Sequence, residues 1–127
     1  MKNFKTEMEQ QISKLFDNFL KKQLGEHATS IMTYLAGNTF TVRSDNCFAA
    51  GEKKLIQHEK HWQLLKEVKS REFEKVEPVL KDQLKELTGC QVLNIYSIVG
   101  LDGTRLGFFI LKENLEKKLL KGEEVSL

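Results

Sequence analysis

Hydrophobic positions along the 127-residue chain switch between a helical and an alternating period, and these switches divide it into five segments. Thr6 with Glu9 reads as a capping box. Met8, Ile12, Leu15, Phe16, Phe19 and Leu24 then recur at helical spacing until Gly25, which predicts a first amphipathic helix over 6–24. From Ser30 the period becomes two, and the run to Ala36, the pair Gly37-Asn38 and the run Thr39 to Arg43 predict a hairpin over 30–43.

From Ala49 to Thr88 the helical spacing returns through Leu55, Ile56, Trp62, Leu65, Val68, Phe73, Val76, Leu80, Leu84 and Leu87, supported by an i,i+4 pair of Glu67 and Arg71. Pro78 removes a backbone donor and disfavours the helical conformation at Glu77, so the spacing predicts a kink or restart there, and Gly89 is the expected stop. Gln91 to Val99 and Arg105 to Leu111 form a second predicted hairpin around the loop Gly100 to Thr104, and Leu115, Leu119 and Leu120 mark a short last helix within 113–121. Leu106, Phe108 and Ile110 on one side of the last strand, and Phe109 and Leu111 on the other, predict a central strand buried on both faces, with Phe108 in the core.

The order predicts an α+β fold, one domain over 1–127: a four-stranded, mostly antiparallel sheet from two hairpins, with an N-terminal helix, a long kinked central helix and a short C-terminal helix. Trp62, Leu65, Val68, Val76, Leu80 and Leu84 would cover one sheet face. The other would have only the first helix and the tail, leaving apolar surface around Phe109 and Leu111 for a homodimer through the second hairpin or first helix.

Composition changes this picture little. Hydrophobic residues make up 40% and charged residues 30%, as in ordinary globular domains. Twenty Lys+Arg and eighteen Asp+Glu are interspersed, which argues against a nucleic-acid surface. Acidic residues near the start, where a signal peptide needs an apolar block, and apolar runs far shorter than a span of ~20 residues lead to a cytoplasmic expectation.

Few residues suggest chemistry. His58 and His61 share a helical face but lack an evident third ligand, so they read as exposed or helix-capping histidines. Cys90, between a helix stop and a strand, suits a small buried hydrophobe, whereas Cys47 at a strand-to-helix junction reads as the more exposable thiol. Gly100-Leu101-Asp102-Gly103 joins two strands and is a turn, unlike phosphate cradles, which lead from strand to helix. The acids are numerous on the long helix, and none there stands in an apolar context that would raise its pKa. The chain therefore reads as a non-enzyme: no catalytic residue, cofactor or metal ligand is assigned.

The runs Phe48 to Leu55, Trp62 to Lys69 and Leu87-Thr88-Gly89-Cys90-Gln91-Val92-Leu93, followed by the Phe-rich last strand, resemble a small bacterial domain family associated with the MpsC component of a sodium-translocating, membrane-potential-generating system. Ala49-Ala50, Ile98 and His61-Trp62 stand where the family pattern has a Thr-Pro pair, an aspartate and a Gly-Arg pair. The resemblance implies an accessory, docking protein acting beside integral proteins that move sodium ions or inorganic carbon. Two other classes remain open: a small-molecule sensor with a pocket between sheet and long helix, and a nucleic-acid-binding domain using lysines of the first or last helix.

Overall fold

The computed structural model describes residues 3–121; residues 1–2 and 122–127, included in the one-domain reading, lie outside the described residues. The chain forms α1 (Phe4–Phe19), continued by a wider π-helical turn at Leu20–Leu24, then β1 (Ser30–Ala36), β2 (Thr39–Asp45), α2 (Ala50–Leu55), α3 (Glu59–Thr88), β3 (Val92–Val99), β4 (Arg105–Leu111) and α4 (Leu115–Leu120). The strands make one antiparallel sheet in the order β1-β2-β4-β3, so the two expected hairpins join through β2 and β4 and β4 is central.

Local signals set most boundaries. Gly25 and Gly89 both adopt the left-handed conformation that ends a helix, at φ 64° and 71°. Gly37 turns the first hairpin at φ 63°. The start of α1 differs from the expected capping box. Asn3 is the N-cap, its side chain accepting the Thr6 N–H, while the Glu9 carboxylate reaches across to accept the Leu35 N–H at 2.8 Å. A buried strand amide offers that carboxylate a tertiary partner that local spacing cannot show.

The long helical region does come in two pieces, but the break lies at Ile56–His58 and α3 runs as one 30-residue helix through Pro78. Glu74 and Pro78 are both exposed, so the carbonyl that loses its helical donor faces water. Phe73 and Leu80, on either side of Pro78, are both held in the core. Packing on both flanks outweighs one lost bond. The expected Glu67–Arg71 pair forms at 2.6 Å.

All three longer-range helical contributions fall on one sheet face. Met8, Ile12, Phe16 and Phe19 of α1, Phe73, Leu80 and Leu84 of α3, and Leu115 and Leu119 of α4 share a cluster with Leu35, Phe40, Val42, Val92, Phe109 and Leu111 of the sheet. Phe40 and Phe109, paired across β2 and β4, stack at 4.5 Å, and Phe16 meets Phe109 edge-on. A smaller cluster of Phe48, Leu65 and Val99, with Ile56 and Trp62 against it, fixes the start of α3.

This one-sided arrangement corrects four expectations. β4 is covered on one face only: Phe109 and Leu111 are fully buried, whereas Phe108 is 41% exposed and Leu106 and Ile110 are partly exposed. Phe108 is thus not core, and the uncovered apolar surface lies around it rather than around Phe109 and Leu111. Val68 also points away from the sheet. Sequence alternation separates the two sides of a strand correctly, but which side the helices occupy depends on the neighbouring strands.

Candidate functional site

Three charged residues far apart in sequence meet in the interior. Glu26 follows the Gly25 helix stop, Lys69 lies on α3 one turn from both Leu65 and Phe73, and Arg105 opens β4 on its covered face. Arg105 donates to both Glu26 oxygens, Nε to Oε1 at 3.1 Å and Nη2 to Oε2 at 2.8 Å. Lys69 Nζ donates to Glu26 Oε2 at 3.1 Å and pairs with Glu52 of α2 at 3.0 Å. Nη1 of Arg105 donates to Ser97, and its guanidinium lies over the Phe73 ring at 5.4 Å.

Every charge here has a partner, as burial demands. Burial works against the Lys69 ammonium, but Glu26 and Glu52 more than offset it and hold its pKa above the ordinary lysine value. Although α2 buries none of its own residues, the Glu52–Lys69 pair ties it to α3, and Phe48 and Ile56 at its two ends pack in the smaller cluster. A cleft of about 310 Å³ lies alongside, lined among others by Glu26, His27, Cys47, Glu52, Lys69 and Glu72.

None of this network was assigned from sequence. Lys69 did carry a signal, a cation inside the stripe Leu65, Phe73, Leu80, Leu84, and Arg105 likewise shares the side of β4 that holds Gly107, Phe109 and Leu111. Glu26 carried none, because a loop residue has no period.

The residues singled out for chemistry are dispersed. Cys47, expected to be the exposable thiol, is only 4% exposed beneath Phe48, because its N–H is tied to the Gly103 carbonyl at 2.8 Å. Cys90 is fully buried at the α3–β3 junction, where its N–H donates to the Thr88 hydroxyl. His58 and His61 are exposed at the start of α3 with rings 5.4 Å apart. Among the described residues no group of three His, Cys, Asp or Glu side chains is arranged for a metal. Gly100 to Thr104 is a turn closed by the Gly100 N–H to Thr104 carbonyl bond, and Trp62 and Phe73 pack in the two clusters.

Burial pushes the Cys47 thiol up to about 11 from 9.0. At pH 8 the folded chain should therefore hold roughly 100-fold less Cys47 thiolate than the unfolded chain, and iodoacetamide should label it correspondingly slowly. Mass spectrometry of labelled peptides checks this; equal rates in native and denatured protein would contradict it. Because the folded pKa is the higher one, the stabilisation is complete below about pH 9 and is lost as pH rises from there towards 11.

Among the described residues the largest feature that no helix covers is the other sheet face. Its central row runs Tyr34, Thr41, Phe108, Tyr96 across all four strands, and the next runs Met32, Arg43, Leu106, Ile98. Tyr96 is 56% and Ile98 63% exposed. Within the strands its charged side chains, Arg43 and Asp45, neutralise each other at 2.9 Å. Among the described residues no helix is long and apolar enough to cross a membrane.

Residues 4–113 match the family model described as MpsC, Na+-translocating membrane potential-generating system. The chain belongs to the MpsC family. The match spans α1 to the end of β4 and so includes both the buried charge network and the uncovered sheet face. No curated protein and no solved structure shows significant similarity to it.

Proposed function

We propose that this MpsC-family chain is a non-catalytic, cytoplasmic accessory protein that acts by protein association beside the integral proteins of a Na+-translocating, membrane-potential-generating system. The observation that carries this reading is the helix-free sheet face, where Met32, Tyr34, Tyr96, Ile98 and Phe108 all stand exposed. A contiguous apolar face of this kind is the mark of an interaction surface. The family description supports the membrane system as its setting.

A ligand-sensing role has less support, because Glu26, Lys69 and Glu52 beside the cleft already satisfy one another. The near absence of charge on the open face argues against phosphate binding there.

Cells lacking the chain test the proposal through sodium tolerance and a potential-sensitive dye. The unaltered chain should restore both. A Tyr96→Glu/Phe108→Glu variant, with an unchanged melting temperature when dilute, should restore neither. Full restoration by that variant would overturn the association reading.

A further inference from the structure

We propose that the open sheet face is covered by a second copy of this chain, two sheets packing face to face with the helices outermost. This rests on the reading of that face as the association surface, and relief and charge on the face identify the occupant.

On the outward side, β4 carries a ridge of Leu106, Phe108 and Ile110. Beside it β2 carries Thr39 and Thr41, with Arg43 held by Asp45. A ridge next to a trough on the two central strands is self-complementary under one operation: a two-fold axis running along the strands between β2 and β4. That axis lays Phe108 of each copy over Thr41 of the other, Ile110 over Thr39, and the outer strands over each other, Tyr96 on Tyr34 and Ile98 on Met32. An axis across the strands would instead set Phe108 near Phe108 and threonine near threonine, clashing at the ridge and leaving a gap at the trough.

Size and charge agree. Four strands about 4.8 Å apart and about 23 Å long give close to 900 Å² of plane from two copies, and side-chain relief adds to this, bringing it to the ~1,000 Å² minimum of a specific interface. Under that axis Arg43, already neutralised by Asp45, lies over Leu106 of the other copy, so no bare like charges face each other. Aligned sheet packing about 10 Å apart accommodates such side chains.

Light scattering and sedimentation of the whole chain at tens of micromolar should give twice 14.7 kDa, falling towards 14.7 kDa on dilution. Phe108→Glu and Thr41→Lys should each raise the dissociation constant at least ~30-fold, the scale of a central interface residue. An equimolar mixture of the two variants should recover the dimer, because the mixed pair holds one native contact and one acid-on-base contact. Failure of the mixture to recover, with both variants folded by circular dichroism, would overturn this arrangement.

A monomeric unaltered chain would overturn the second copy altogether. If that monomer co-sedimented with phosphatidylcholine vesicles in a Phe108-dependent way, a lipid surface would be the occupant instead. A monomer whose cellular role still depends on Phe108 would end this inference and leave the association reading standing. A dimer whose disruption leaves sodium tolerance intact would do the reverse.

Discussion

Glu26→Ala should lower the unfolding free energy by about 3–5 kcal/mol, the cost of stranding buried cations without their counter-charge. Arg105 is 1% exposed and Lys69 5%, so neither can turn to water without moving the start of β4 or α3. Arg105 would keep its Ser97 bond and the Phe73 ring, and Lys69 would keep Glu52 and the Phe48 ring, none of which replaces the lost carboxylate. Lys69→Met should cost less, because Glu26 would keep its two Arg105 bonds and the methionine would fill the space of the lysine stem. Urea titrations of the three proteins check the order. A Glu26→Ala midpoint as high as that of Lys69→Met would mean that the network is not the keystone its burial indicates.

The second large effect separates two adjacent phenylalanines. Phe109→Ala should cost about 3–5 kcal/mol, since the ring is fully buried between Phe40 and Phe16 and its loss leaves a cavity that rigid strands cannot close. Phe108→Ala should cost much less in a dilute, monomeric sample, about 1 kcal/mol, because that residue is already 41% exposed. Lys118, paired with Glu113 at the surface, should matter no more than Phe108. Thermal melts at low concentration decide the matter. A Phe108→Ala loss equal to that of Phe109→Ala would show that the outer face is covered within one chain.

Much of the architecture was legible in the residues. Alternation in Ser30 to Ala36 and Thr39 to Arg43, and the β-rich runs Gln91 to Val99 and Arg105 to Leu111, located all four strands, and Gly25 and Gly89 marked helix ends that the backbone confirms. The resemblance of Phe48 to Leu55 and Leu87 to Leu93 to the MpsC family agrees with the match over residues 4–113. These signals are local: a period or a glycine constrains φ and ψ within a few residues.

The features that bear on function are not local. Glu26 and Arg105 are 79 positions apart, and only tertiary packing brings them to 2.8 Å. Pro78 predicted a kink or restart; the helix does not restart there, because the sequence records the missing N–H but not its place on the water-facing side of α3. In β4, Leu106, Phe108 and Ile110 are as apolar as Phe109 and Leu111, so hydrophobicity alone could not say which set faces the helices.

Pairing with β2 decided it. Phe40 and Val42 align with Phe109 and Gly107 on one side, while Thr39 and Thr41 align with Ile110 and Phe108 on the other. The helices cover the side on which both central strands are apolar, because burying that side removes more apolar area from water without stranding threonine hydroxyls. The sequence by itself thus determined the elements and their order. The tertiary structure decided which apolar face was buried, and which was left uncovered, because that choice depends on the summed surface of strands that meet only on folding.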